Sequence, residues 1–192
     1  MKVHDVPSNP GSRILDAASR LFYKQGYHAT GINQVIANAG AAKASFYHHY
    51  GSKEDLCIAY LTKRHEQWFS WLQREVEQHE CPKDRLLSLF TFLEKWLPDS
   101  EFRGCAFLNI ASEFPASDSK IRAVAADHKS ALRSYISSLV SAVKLSGFGD
   151  ELISQTDSIY LLFEGAIISS QIHRSTAFIR VAREMIERSL DH

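Results

Sequence analysis

A short stretch near the N-terminus carries the kinds of side chain that bind polyanions. It reads Lys43-Ala-Ser-Phe-Tyr-His-His-Tyr50 and lies between Gly40 and Gly51. At the helical repeat of 3.6 residues, Phe46 and Tyr50 share one face and are predicted to point inward. The polar side chains left to face outward are Lys43, Ser45, Tyr47 and His48. Ammonium, hydroxyl and imidazole groups donate hydrogen bonds to phosphate oxygens and base edges, so this face is a candidate surface for nucleic acid.

Three short helices are predicted to position these side chains. A first helix covers residues 13–25, with Ser12 as its cap and Gly26 as its end, and a second begins at a Thr30 cap and stops at Gly40. The third helix is the polar stretch itself, from about residue 41 to 50. Helices of about eight residues do not persist alone in water, so the last two must pack on the first. This arrangement is the helix-turn-helix, whose second helix enters the major groove of DNA.

The remainder of the chain is predicted to form a larger helical body. Ser52 and Asp55 make a capping signal before a long helix that runs through Val76. Apolar spacing predicts five further helices, separated by Pro98, Pro115 and residues 146–149: 83–97, 104–114, 118–145, 151–172 and 176–190. The predicted fold class is therefore all-α, with about nine helices. We expect a three-helix DNA-binding domain at 11–51 and a helical bundle at 52–192.

Composition limits the classes of protein to which the chain can belong. Its 192 residues are 45% hydrophobic with no net charge, as in ordinary globular proteins. Residues 1–51 hold five basic and two acidic residues, a net charge of +3, which weakly favours a polyanionic partner. No uncharged apolar run reaches the roughly eighteen residues of a membrane helix, and no secretory signal is visible. Three cysteines, odd in number and far apart, indicate a reducing cytoplasm: Cys57, Cys81 and Cys105.

The ordered set of motifs from Ile14 to Leu56 resembles the N-terminal domain of the TetR family of transcriptional regulators. Its parts are Ala18-x-x-Leu21-Phe22, Gly26-Tyr27, Thr30, the Lys43–Tyr50 stretch and Ser52-Lys53-Glu54. The resemblance implies a repressor that binds palindromic operator DNA as a homodimer and is released by a small-molecule inducer. The operator contacts that it implies are Thr30, Lys43, Tyr47, His48 and Lys53, mostly to phosphates, with Ala42, Ser45 and His48 nearest the bases. Many family members carry a hydroxyl where this chain has Ala42.

The last two predicted helices carry more apolar surface than the outer layer of a monomer needs. Tyr160, Ile168 and Ile172 belong to a helix that is apolar on more than one face, and Gly165 permits a close approach by another helix. We expect these two helices to pair with their two-fold mates in a four-helix interface, as the resemblance also implies. The predicted interface residues are Tyr160, Glu164, Gly165, Ile168, Gln171, Ile172, Phe178, Ala182 and Met185.

The central helices are rich in aromatic residues, which suit an effector. The resemblance implies that a small molecule binds there, and aromatic walls with a few polar groups favour an apolar or aromatic ligand. The candidate pocket residues are Phe92, Trp96, Cys105, Asn109, His128, Tyr135, Tyr160 and Phe163. Two interpretations of Cys105 stay open. A thiol beside Arg103 at a helix N-terminus can sense electrophiles or oxidants, or it is a small buried residue.

Two other classes of function are alternatives to a regulator. A helical-bundle enzyme finds little support, because His65-Glu66 is followed by Phe69 where a metalloprotease needs a second histidine. His48 and His49 point about 100° apart on a helix, so they are poorly placed to share a metal, and no cofactor is expected. A non-specific architectural DNA-binding protein needs a much more basic chain.

Overall fold

The computed structural model describes residues 9–116, 119–143 and 150–190. Within these ranges all regular structure is α-helical, which confirms the predicted class. The nine helices are α1 (Pro10–Gln25), α2 (Ile32–Ala39), α3 (Lys43–Tyr50), α4 (Lys53–Val76), α5 (Pro82–Asp99), α6 (Ala106–Ser112), α7 (Lys120–Ala142), α8 (Asp150–His173) and α9 (Ala177–Leu190). The predicted break at residues 146–149 and the predicted helix start at residue 118 lie outside the described residues.

The chain divides into two compact units that differ from the predicted domains. Unit 1 comprises the chain up to Arg64 together with Ala106–Ala125, and unit 2 comprises His65–Cys105 and the chain from Ala126 onward. The boundary after residue 51 stays a prediction. Residues 106–125 join unit 1 because Glu113 hydrogen-bonds to the backbone of Tyr27, 86 positions away in the sequence. No local pattern in the sequence reports a contact over that separation.

Helix α1 packs against both α2 and α3 in unit 1. Its buried residues recur at helical spacing, as expected for an amphipathic helix: Ile14, Ala17, Ala18 and Phe22. Val35 and Ala39 supply the buried residues of α2, and Phe46 supplies that of α3. Removal of these side chains from water stabilises three helices that are individually too short to persist.

Glycines end the first three helices, as predicted. Gly26, Gly40 and Gly51 have φ angles of 92°, 56° and 66°, in the region that side chains with a Cβ rarely adopt. The predicted cap of the next helix is also confirmed, because the Asp55 backbone N–H donates to Ser52 Oγ at 3.0 Å. Local turn chemistry therefore sets the ends of these elements.

Two predicted N-terminal caps are wrong. Asn9, not Ser12, caps α1, with its side-chain oxygen accepting the Gly11 N–H at 2.8 Å. Gly31, not Thr30, is the N-cap of α2 and makes no side-chain cap hydrogen bond. Both errors have one cause, since a hydroxyl near a helix start has several backbone partners within reach and the sequence does not select among them.

Helices α5, α8 and α9 pack together in unit 2. The centre of this packing is α5, whose fully buried residues are Leu86, Leu89, Phe90, Leu93 and Leu97. Pro98 falls one residue before the end of α5, close to the predicted break. Among the helices of the described ranges, none has both the length and the apolar character of a segment that crosses a bilayer.

Candidate nucleic-acid interface

The outward face of α3 exposes the side chains predicted to bind DNA. Tyr47 is 49% exposed, and Lys43 and His48 are also exposed, whereas Phe46 is fully buried beneath them. The flanking candidates differ: Ala42 is exposed and Ser45 is half-buried. The structure thus brings the predicted ammonium, phenol and imidazole groups to one accessible surface.

The inner face of α3 rests on the first turn of α1. Tyr50 Oη donates to the Gly11 carbonyl oxygen at 2.6 Å. A Cβ at Gly11 would lie 3.0 Å from the ring of His49, so the glycine permits this close approach. Together with buried Phe46, these contacts hold α3 against α1.

Arg13 fixes the turn between α2 and α3, a role that sequence reasoning missed. Its Nε donates to the Ala39 carbonyl oxygen at 3.1 Å, and its Nη2 donates to the Gly40 carbonyl oxygen at 3.4 Å. A guanidinium suits these carbonyls because the C-terminal end of a helix carries partial negative charge. The residues involved are 26 and 27 positions apart, so no helical spacing could have revealed the contact.

The structure does not support an operator contact by the Thr30 side chain. Thr30 is fully buried, and its hydroxyl donates to the Gly26 carbonyl oxygen at 2.6 Å. Its backbone N–H donates to the Tyr27 carbonyl oxygen at 3.1 Å. The residue therefore stabilises the turn between α1 and α2 from within and presents no hydroxyl to DNA.

Lys53, another predicted operator contact, is half-buried at the start of α4. Its Nζ lies 4.1 Å from the centroid of the Tyr27 ring, a cation–π contact that restricts the ammonium group. Burial lowers the pKa of Lys53, and the negative charge of Glu113 acts in the opposite direction. The structure therefore places Lys53 beside the turn between α1 and α2.

The side chains that could hold a metal are dispersed. Among the described residues, no group of three or more histidine, cysteine, aspartate or glutamate side chains is arranged as a metal site. The rings of His48 and His49 are 5.0 Å apart and nearly perpendicular.

Four of the eight predicted effector residues surround one tryptophan in unit 2. The ring of Trp68 lies 5.3 to 6.4 Å, centroid to centroid, from those of Phe92, Trp96, His128 and Phe163. We call these five residues the Trp68 cluster. Trp68 itself was not predicted, because it lies on α4, before the aromatic-rich central segment in the sequence. The buried indole Nε1 of Trp96 has no hydrogen-bond partner among the described residues.

Two further candidates, Cys105 and Tyr160, lie near a salt bridge in unit 2. Lys129 Nζ is 2.7 and 2.6 Å from the carboxylate oxygens of Glu164 and also hydrogen-bonds to Cys105. Burial acts to lower the pKa of Lys129, but Cys105 and Glu164 raise it by more. Cys105 is buried, as one of its two interpretations expects, and Tyr160 is half-buried.

The last two effector candidates do not join either group. The Tyr135 ring lies 6.2 Å from that of Phe69, and Asn109 belongs to α6 in unit 1. A groove of about 500 Å³ runs along α4, but it contains none of the predicted residues. It is lined by His65, Glu66, Phe69, Ser70, Gln73, Arg74 and Glu77.

Within the Trp68 cluster, His128 is held in its neutral form. It is buried, and its Nδ1 lies 3.1 Å from Nδ1 of His65, so one ring donates and the other accepts. Burial, followed by the nearby charges of Lys129 and His65, lowers the pKa of His128 to about 3. The folded protein therefore resists protonation at a site that protonates readily in the unfolded chain.

This difference makes stability depend on pH. Below about pH 6.5 the unfolded chain binds a proton at residue 128 that the folded protein does not, so stability present above that pH is lost as the pH falls toward 3. Between pH 7 and pH 5 we expect the wild type to lose about 2 kcal/mol more than His128→Leu. Urea unfolding at the two pH values measures this difference, and equal losses in both proteins would contradict it.

Helices α8 and α9 leave apolar side chains in solvent. Ile172 is 70% exposed, Leu161 66%, Val181 55% and Met185 51%. We define the α8–α9 strip as Leu161, Gly165, Ile168, Ile172, Phe178, Val181 and Met185, all of them exposed. Five of these residues were predicted at the interface, and Leu161 and Val181 were not.

Of the other four predicted interface residues, one is buried and three are half-buried. Ala182 is buried, and Glu164 is paired with Lys129. Gln171 lies against the backbone of Gly104, and Tyr160 is half-buried. Partial exposure leaves Tyr160, Glu164 and Gln171 accessible, so the interface stays a prediction.

Two family models match the chain and together cover most of it. The family of bacterial regulatory proteins named after TetR matches residues 14–60, which include the whole of α2 and α3. The tetracycline repressor-like C-terminal domain matches residues 82–186, more than half of the chain.

Individual relatives agree with these matches over nearly the full length. The HTH-type transcriptional regulator YxaF of Bacillus subtilis is 27% identical over 177 residues, 91% of each chain. The HTH-type transcriptional repressor NemR of Escherichia coli is 25% identical over 191 residues, 93% of this chain and 89% of its own. The crystal structure of a TetR-family regulator from Streptomyces coelicolor superposes with a TM-score of 0.82 at 23% identity, covering 95% of this chain and 94% of that one. The chain therefore belongs to the TetR family of transcriptional regulators.

Proposed function

We propose that this protein is a repressor that binds palindromic operator DNA as a homodimer and is released by a small apolar or aromatic inducer. The observation that carries the proposal is the exposed face of α3, where Lys43, Tyr47 and His48 stand above buried Phe46. A helix with such a face fits the major groove, with ammonium and phenol groups on phosphates and imidazole near base edges. Exposed Ala42 lets the helix start approach the bases closely.

The α8–α9 strip supports a homodimer. Contiguous exposed apolar side chains are costly in water and mark interaction sites. A second copy offers an identical strip, and a two-fold axis lets the strips cover each other in a four-helix interface. The same symmetry duplicates α3, so the preferred DNA site has two inverted half-sites.

The Trp68 cluster supports an apolar or aromatic inducer. Its rings present flat, largely apolar faces, and those of Phe92 and Trp96 are nearly parallel at 6°. The unpaired Nε1 of Trp96 offers a donor to an acceptor on the ligand, because buried polar groups normally have a partner. Bound DNA then lowers the affinity for the inducer, and bound inducer lowers the affinity for DNA by the same factor. Repression itself is supported by NemR, which is a repressor and aligns over 93% of this chain.

The proposal is tested by comparing operator DNA with unrelated DNA at one fixed salt concentration. A duplex selected by the protein from a randomised pool should be palindromic. Its affinity should exceed that of a scrambled duplex by about 10³-fold or more. Fluorescence anisotropy gives the dissociation constants for both duplexes. Equal affinities would instead identify a non-specific architectural protein. The inducer class is then tested with aromatic compounds. Their binding is followed by tryptophan fluorescence, and they should release the protein from the selected duplex.

A further inference from the structure

Glu113, the residue that follows α6, hydrogen-bonds to the turn between α1 and α2. Glu113 Oε1 accepts the backbone N–H of Tyr27 at 2.8 Å, and its Oε2 accepts that of His28 at 2.7 Å. The backbone oxygen of Glu113 lies 3.1 Å from His28 Nε2. The Phe114 ring lies 4.8 Å from that of Tyr27 and 5.4 Å from that of His28. Two consecutive residues thus hold two consecutive residues of the turn.

The turn is built to receive this carboxylate. The N–H groups of Tyr27 and His28 follow the last helical hydrogen bond of α1, which Gly26 N–H donates to Phe22. An ionised carboxylate bonds such groups about twice as strongly as a neutral acceptor does. A Cβ at Gly26 would lie 2.8 Å from Glu113 Oε1, so glycine there provides both the φ of 92° and the space.

The same turn lies beside a predicted operator contact. The Tyr27 ring that Phe114 packs against also lies 4.1 Å from Lys53 Nζ. The charge of Glu113 acts on Lys53 as well. The position of Glu113 therefore determines where the Tyr27 ring sits, and that ring restricts the ammonium of Lys53.

We infer that Glu113 is a positioning residue for operator binding, although it lies 60 positions beyond Lys53 in the sequence. It fixes the turn that joins α1 to α2 and, through Tyr27, the start of α4. This inference rests on the proposed operator binding and assigns part of that activity to a carboxylate that touches no DNA. Misplacement of these elements costs affinity for a site that requires defined geometry.

Electrostatics alone gives the opposite expectation. Removal of a carboxylate makes the DNA-binding unit more positive, which strengthens its attraction to phosphates. A loss of affinity on neutralising Glu113 therefore reports positioning and not charge. Glu54→Gln is the matched control. Glu54 lies in the first turn of α4, and its substitution removes one negative charge from the same unit.

The experiment uses the full-length protein and the duplex selected by the wild type. Glu113→Gln keeps the length and one acceptor oxygen but turns an N–H donor toward a backbone N–H. We expect it to weaken selected-duplex binding about tenfold, equivalent to roughly 1.4 kcal/mol. Binding of Glu113→Gln to the scrambled duplex should be unchanged or tighter. Glu54→Gln should bind both the selected and the scrambled duplex as tightly as the wild type or more tightly. Backbone amide exchange at Tyr27 and His28, measured by NMR, should accelerate in Glu113→Gln and not in Glu54→Gln.

Each result decides one of the claims. Equal selected-duplex affinity in Glu113→Gln and the wild type overturns the inference, and so does unchanged exchange at the two amides. Parallel loss on both duplexes also overturns it, because a destabilised unit loses every kind of binding. A wild type that does not prefer the selected duplex overturns the proposed function itself, and this is measured before any variant is made.

Discussion

Replacement of Phe46 by alanine is expected to lower the free energy of unfolding by about 3–5 kcal/mol. The Phe46 side chain is fully buried and is the sole buried residue of α3. Its truncation leaves a cavity and removes the apolar contact that holds this eight-residue helix against α1. A helix of that length does not compensate through its own hydrogen bonds, because it is unstable in isolation.

The adjacent residue provides the matched comparison. Tyr47 is 49% exposed, so Tyr47→Ala should change the free energy of unfolding by no more than about 0.5 kcal/mol. Its effect should appear in operator affinity, because the phenol belongs to the proposed DNA-binding face. Phe46→Ala should lose both stability and operator binding.

Urea unfolding followed by circular dichroism measures the first quantity, and anisotropy with the selected duplex measures the second. Phe46→Leu, which preserves most of the buried volume, should fall between Phe46→Ala and the wild type in stability. Comparable loss of stability in Tyr47→Ala and Phe46→Ala would place Tyr47 in the core and would remove the main support for DNA binding by α3.

The elements that local chemistry determines were predictable from the sequence. Apolar spacing located all nine helices of the described ranges, and Gly26, Gly40 and Gly51 marked three helix ends. The inward direction of Phe46 and the outward direction of Tyr47 followed from helical geometry. Each of these features depends on residues within about one turn of each other, where the sequence order is also the spatial order.

Features that depend on distant partners were not predictable. Arg13 binds carbonyls at the end of α2, and Glu113 binds a turn that precedes it by 85 and 86 positions. Thr30 is a related case, because the family resemblance implied a DNA contact, whereas in the structure the hydroxyl is buried and donates to the Gly26 carbonyl oxygen. Where a side chain has two possible partners, only the packing of the folded chain decides which of them it contacts. Long-range packing also brought Trp68, which was not predicted, to the centre of the effector candidates.

The same reasoning applies to the last two helices. Val181 is exposed and its neighbour Ala182 is buried, so one step along α9 separates a candidate partner contact from a core residue. The sequence shows both as apolar. Only the arrangement of α9 on α5 and α8 decides which of them faces solvent.

Substitution of Ile172 by aspartate should convert the protein to a monomer at micromolar concentration and weaken selected-duplex binding by about 10²-fold or more. Ile172 is 70% exposed in the protomer, so the folded monomer should tolerate the change within about 0.5 kcal/mol. In the proposed dimer the carboxylate enters an apolar interface twice, and an unpaired buried charge is strongly unfavourable. The weaker DNA binding follows because a monomer engages one half-site and loses the effective concentration of the second.

Sedimentation velocity and the anisotropy titration measure the two effects on the same samples. Ser134→Asp is the control, since it adds the same charge at an exposed position of α7, a helix that contributes no residue to the α8–α9 strip. It should remain dimeric and bind as the wild type does. A dimeric Ile172→Asp would remove the strip from the interface. A monomeric variant with undiminished operator affinity would separate dimerisation from DNA recognition, because each α3 would then suffice alone.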